Sequence, residues 1–279
     1  MSVQTRPGAR HALLERLIDH AALFPPASLA LRDALQADRR ARDGADAWML
    51  GRFVCPASRL AELLAAAGED APELSVVLDG APEAALTAAA AASRAGARVT
   101  AVELRTEDPA GWRHRVDAAL GPGVAVYVEG AGPGVPAGLH AKLRCGGAAR
   151  AAFPSVEAVA AFLAGCEAKG VAFKATAGLH HPIRRVDPAT GFAMHGFLNL
   201  LAAACLAHVH GAAEDELADV LAKEDRAAIA IDDEGLRAGG RHVGPAEIAH
   251  VRRRFFHGVG SCSFAEPVED LRALGLLGG

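Results

Sequence analysis

Short apolar runs alternate with longer amphipathic or alanine-rich segments from Leu14 to about Lys174, and this alternation constrains the fold more than any other feature. The runs Leu17–Phe24, Trp48–Val54, Leu74–Leu78, Val99–Leu104, Val124–Val128, Leu139–Leu143, Val171–Ala175 and His257–Cys262 read as strands. Helices are expected over Ser28–Arg42, Ser58–Ala67, Pro82–Ala95, Pro109–Ala119, Ser155–Lys169, Phe197–Val209, Asp215–Lys223, Pro245–Arg254 and Pro267–Leu274. Strand and helix in turn is the pattern of a parallel sheet covered by helices. Eight strands in 279 residues predict an α/β fold, a single (β/α)8 TIM-type barrel domain over 1–279. Gly130–Leu139 is too short for a crossover helix with its loops. The chain from Thr176 to His257 is longer than one helix needs, which predicts an insertion before the last strand, a helix and hairpin region at about 190–250. A competing register makes Ala227–Ile231 a barrel strand and demotes Leu17–Phe24.

The formal net charge of -4 argues against nucleic acid or an anionic membrane as partner. Five cysteines without a CxxC pair make neither a zinc ribbon nor a disulfide framework. No basic and apolar leader opens the chain, and the apolar stretch Phe197–Val209 falls short of the ~20 residues a bilayer demands. The expectation is a cytoplasmic protein that acts on a small molecule without a cofactor or metal, with self-association left open.

Barrel chemistry gathers at the C-terminal ends of the strands. There the chain offers Asp19 and His20, Arg52, Asp79, Glu103 and Arg105, Glu129, Lys142 and Arg144, Lys174 and Thr176, and Ser261. Of 29 basic residues only four are lysine, and two of these, Lys142 and Lys174, end apolar runs one strand–helix unit apart. Each is followed four residues on by glycine, Gly146 or Gly178. An amine beside another cation in a low-dielectric pocket gives up its proton more readily and can attack a carbonyl to form a Schiff base. Equally, each amine can bind a substrate carboxylate or phosphate, or pair with Glu129 or Glu103 inside the barrel.

Taken in order, Leu17-Ile18-Asp19-His20, Val54-Cys55-Pro56, Lys142-Leu-Arg-Cys-Gly146, Lys174-Ala-Thr-Ala-Gly-Leu179 and Gly258-Val-Gly-Ser-Cys-Ser263 resemble the motifs of the deoxyribose-phosphate aldolase superfamily. The resemblance implies a class I aldolase, a lyase with Lys142 as Schiff-base former and Lys174 as the neighbour that lowers its pKa. It also implies Gly178, Gly260, Ser261 and Ser263 near a substrate anion. The chain departs from the family pattern at Ala21 and at Leu143-Arg144, which replace hydroxyl residues. The family's acid early in its fourth strand falls near Thr100, so the proton relay is not visibly retained.

The expected catalytic set is therefore Lys142, Lys174, Glu129, His20 and His180. The expected substrate-binding set is Arg144, Thr176, Gly178, Gly260, Ser261, Ser263, Asp19 and Arg52. His180-His181 follows a lysine strand, and adjacent histidines are expected to face different sides. Asp19 could orient His20 as a base, and Ser263-x-x-Glu266 reads as a capping box. Asn199 reads as a satisfied buried amide. One alternative function is a metal-assisted lyase or hydrolase using Glu129, His180 and Asp79, with the lysines on substrate oxygens. Another is a non-catalytic binding barrel, favoured if both lysines are fully paired with carboxylates in a filled cavity.

Overall fold

The computed structural model describes residues 8–278. Eight parallel strands close into a barrel: β1 (Ile18–His20), β2 (Leu50–Pro56), β3 (Leu74–Val77), β4 (Val99–Arg105), β5 (Ala125–Glu129), β6 (His140–Arg144), β7 (Phe173–Thr176) and β8 (Phe256–Ser261). Each strand pairs with its sequence neighbours, and β1 closes the ring against β8 with Asp19 opposite Gly260. All eight expected runs are found, most of them shifted by one or two residues at their ends. Leu17–Phe24 keeps its place as the first strand, and Ile229–Ile231 belongs instead to a separate antiparallel sheet.

The covering helices are α1 (Ala9–Leu14), α2 (Leu31–Asp43), α3 (Leu60–Ala67), α4 (Pro82–Arg94), α5 (Trp112–Leu120), α6 (Val156–Ala168), α7 (Phe197–His210), α8 (Glu214–Ala222), α9 (Pro245–Arg254) and α10 (Ala265–Ala273). Between β5 and β6 there is only a single 3-10 turn, Gly132–Gly134, as the shortness of that stretch requires. Between β7 and β8 the chain forms a two-stranded hairpin (Arg185–Val186 with Ala193–Met194), α7 and α8, a three-stranded meander over 229–243, and α9. Helix α7 is apolar on every side, and Phe197 through Ala207 are all buried, so other elements surround it completely. Its one polar residue in that run, Asn199, accepts the Arg184 N–H at 2.9 Å and donates to the carbonyls of Val220 and Lys223 at 3.0 and 2.8 Å. That amide stitches α7 to the end of α8.

By length and composition the helical stretch Arg150–Ala168 could cross a membrane. In the fold it is broken at Phe153-Pro154, and α6 turns Val159, Ala160, Leu163 and Cys166 into the barrel's apolar cover.

The apolar residues of the strands mostly face outward against the helices, in two large clusters. The inside of the barrel is polar. Barrel interiors are ordinarily filled by layers of branched apolar side chains, whereas this one holds Asp19, Arg52, Ser75, Glu103, Tyr127 and Lys174 among others. Strand side chains alternate between faces, so a charged residue flanked by outward-facing neighbours, such as Asp19, Glu103 or Lys174, points into the barrel.

Candidate active site

Near the C-terminal end of the barrel the two lysines stand directly opposite one another, Lys142 on β6 in register with Lys174 on β7. Glu103, reaching across from β4, bridges them. Lys174 Nζ donates to Glu103 Oε1 at 2.7 Å and to Asp19 Oδ2 at 2.6 Å. Lys142 Nζ lies 3.0 Å from Glu103 Oε2 and 3.0 Å from Glu129 Oε2. Ser75 Oγ donates to Glu103 Oε1 at 2.6 Å, and the Arg52 backbone N–H donates to Asp19 Oδ1 at 2.8 Å. Gly51 makes room for that carboxylate, since a Cβ there would lie 2.4 Å from Asp19 Oδ1.

The two amines are not equivalent. Lys174 is the deeper, 2% exposed, with its ammonium 5.4 Å from the centre of the Tyr127 ring. Burial works against its charge, but Asp19 and Glu103 outweigh burial and hold its pKa above the ordinary lysine value. Burial likewise opposes the Glu103 carboxylate, and Lys174 and Lys142 overcome it, holding Glu103 well below the usual carboxylate range. Lys142 is 9% exposed and lies nearer the mouth. Beyond it Glu129 Oε1 meets Arg144 at 3.5 Å, where the guanidinium is half in solvent. The order from inside to outside is therefore a locked ammonium, a shared carboxylate, a second amine, a carboxylate and an exposed guanidinium.

The glycines that follow the lysines have a packing role. A Cβ at Gly146 would lie 2.7 Å from Gly178 Cα, and one at Gly178 would lie 2.8 Å from the Cys145 carbonyl oxygen. Gly178 also has φ +68°, which disfavours any side chain. The loops after β6 and β7 touch backbone to backbone at these glycines, which holds the two lysine strands in register. Gly260 is less constrained, since a Cβ there would lie 3.0 Å from the side-chain Oγ1 of Thr176.

Several expected site residues lie elsewhere. His20 turns away from Asp19, out of the barrel and under α2, where its Nδ1 is 3.1 Å from Asp38, itself held by Arg42. One-residue alternation on β1 forces this, because Asp19 points inward. Arg52 sits toward the opposite end of the barrel, donating to Thr100 Oγ1 at 2.9 Å with Glu73 at 3.6 Å, away from the lysines. His180 and His181 do not split between two sides. His180 Nδ1 lies 3.1 Å from Glu266 and His181 Nδ1 2.6 Å from Asp270, one turn apart on α10. Glu266 is thus drawn to His180, and only half of the capping box forms, with Ser263 Oγ accepting the Glu266 N–H at 3.2 Å. Ser261 is buried, its hydroxyl 3.4 Å from the Ser263 N–H.

Glu103, expected only as an ion-pair partner for the lysines and not as a site residue, is the centre of the network. The family's acid was placed near Thr100, which instead joins the cluster with Arg52 and Glu73. The signal was the spacing of Glu103 and Arg105 in an otherwise apolar β4, where only the inward parity could tolerate a carboxylate. Asp79, a metal ligand only in the alternative metal-assisted reading, is taken by the Ser58 N–H and hydroxyl at 3.0 and 2.6 Å. His195 bonds the Pro154 carbonyl. Among the described residues no three His, Cys, Asp or Glu side chains converge in the manner of a metal site. Cys55 and Cys145 are buried, and burial pushes both thiols up to about 12, as for small hydrophobes.

Below Lys174 the column continues through Tyr127. The Tyr127 hydroxyl and His257 Nδ1 lie 2.9 Å apart in a hydrogen bond, and His140 meets the His257 ring edge to face at 4.8 Å. Burial drives His257 down to about 3 and His140 to about 4, so both are neutral in the fold at neutral pH. The unfolded chain binds protons at these positions below the ordinary value of 6.5. Stability is therefore full above that pH and is lost as pH falls toward 4. Equilibrium urea titrations from pH 7 to 4 are expected to show a decline, and His257→Gln to flatten it; an equal slope in both proteins contradicts this account.

Comparison of the chain with protein-family models, with curated proteins and with solved structures finds no match.

Proposed function

We propose that this barrel is a cytoplasmic lyase of class I aldolase type, making or breaking a carbon–carbon bond next to the carbonyl of a small substrate. The observation that carries the reading is one buried carboxylate, Glu103, shared by two lysine amines toward the C-terminal mouth of a barrel. Buried ion networks are poor devices for stability compared with apolar filling, and perturbed charges clustered at that end mark functional sites.

In this reading Lys142 is the nucleophile and Lys174 is not, because Asp19 and Glu103 keep Lys174 protonated. Lys142 passes its proton to Glu129 and its lone pair attacks the carbonyl carbon. Loss of water gives the iminium. In the cleavage direction Glu129 takes the proton of the β-hydroxyl, the carbon–carbon pair flows into the iminium, and an enamine remains to be protonated and hydrolysed. Lys174 stabilises the oxyanion stages as a fixed positive charge. Arg144, at the rim, is placed to hold a substrate anion. His180, oriented by Glu266, is the second candidate for the proton shuttle.

The test is borohydride reduction in the presence of short aldehydes and ketones, with and without phosphate, followed by peptide mass spectrometry. The expected adduct is on Lys142 and vanishes in Lys142→Ala. A chain that gains no mass at either lysine with any carbonyl compound overturns the imine reading. One observation favours a second reading, a binding barrel without catalysis: in the resting fold both ammoniums are already fully paired with carboxylates. Under that reading no carbonyl is trapped under any condition.

A further inference from the structure

The opposite end of the barrel has a cavity of its own. A space of about 510 Å³ opens at the N-terminal face, within the range of about 300–1,000 Å³ in which small-molecule sites fall. Arg16, Arg52, Arg252 and Arg253 line it, and Glu15 is its single carboxylate. Its inner wall is Tyr127 and His257.

The charges around this cavity do not cancel. Arg16 donates to Glu73 at 2.8 Å, and the same carboxylate lies 3.6 Å from Arg52 Nε and 3.5 Å from Arg98, so one acid serves three guanidiniums. Arg252 has no carboxylate within ion-pair distance among the described residues. Its donors go to the carbonyls of Leu13, Glu15, Phe256 and His257, and burial lowers its pKa to about 10. Arg253 is exposed at the rim and also makes no ion pair among the described residues. Four lining guanidiniums against Glu15 and a Glu73 that is shared with Arg98 outside the cavity leave positive charge in surplus. The neutral His257 ring and the Tyr127 hydroxyl add polar contacts without adding charge.

We propose that this N-terminal cavity binds a small dianionic oxyanion, a dicarboxylate or a phosphate compound, at a site separate from the lysine pair. Planar guanidiniums grip either oxyanion through paired N–H donors, so the two share one recognition chemistry. The proposal stands whether or not Lys142 forms imines.

Tyr127 is the only tyrosine in the chain, so ¹³C-tyrosine labelling gives one ring signal that reports on the cavity directly. Titration of the full-length protein with inorganic phosphate and, separately, with succinate is expected to move that signal saturably with at least one of them. Chloride at matched ionic strength is expected not to. Whichever anion acts identifies the preferred source. Arg253→Glu, at an exposed position, should retain the fold by circular dichroism and weaken binding by about ten-fold. Absence of a saturable shift with both anions, an equal response to chloride, or unchanged affinity in Arg253→Glu overturns the site.

Discussion

Replacing Lys174 with methionine is expected to destabilise the fold by about 3–5 kcal/mol. Methionine fills nearly the same space, so the loss is not a cavity. It is the cost of leaving Asp19 and Glu103 buried without the ammonium that bonds both at 2.6 and 2.7 Å. Glu103 retains Lys142 and Ser75, but Asp19 retains only the Arg52 backbone N–H among these contacts. The penalty also has a defined pH dependence. Glu103 is held below its ordinary value of 4.5, so the stability from its pairing is present above that pH and is lost as pH falls further. The gap between wild type and Lys174→Met is therefore expected to be widest at neutral pH and to close on acidification. Asp19→Asn added to Lys174→Met removes one of the stranded charges and should recover part of the loss. Urea denaturation of the three proteins at two pH values measures this, and a neutral-pH difference below about 1 kcal/mol would contradict it.

The same network shows what could be read from the sequence and what could not. The eight runs were legible because apolar segments of strand length stood between alanine-rich helices, and the two lysines because they ended such runs. Their facing was not. Asp19 and His20 are neighbours in sequence, and only the backbone parity of β1 decides that the aspartate enters the barrel while the histidine meets Asp38 on α2. The apolar run Trp48–Val54 places Arg52 near a strand end, whereas β2 runs to Pro56 and leaves Arg52 near its start. Pairing of a lysine with Glu103 is one of the readings the sequence leaves open, but that Glu103 bridges both is not legible there, since its partners lie 39 and 71 residues away and no local pattern links them. The glycines behaved differently. Gly146 and Gly178 were visible as a shared spacing, but their reason, a backbone contact between two loops, appears only in three dimensions.

Glu103→Gln separates a working amine from an inert ion network. Two carboxylates lie 3.0 Å from the Lys142 amine, and this substitution removes the charge of one of them while preserving its shape. Lys174 keeps Asp19, so its own charge persists, now without a carboxylate between it and Lys142. Both changes act in one direction, because the Lys142 ammonium loses an attraction and gains an unscreened repulsion. If Lys142 forms the imine, borohydride trapping at neutral pH should become faster by about ten-fold, and its onset should move to lower pH. The carbon–carbon step is expected to suffer if Glu103 also carries a proton there, so trapping and turnover would move in opposite directions. A rate of trapping equal to or slower than wild type, in a variant that circular dichroism shows to be folded, would place the nucleophile elsewhere. Absence of trapping in both proteins would leave the paired lysines as the polar core of a binding barrel.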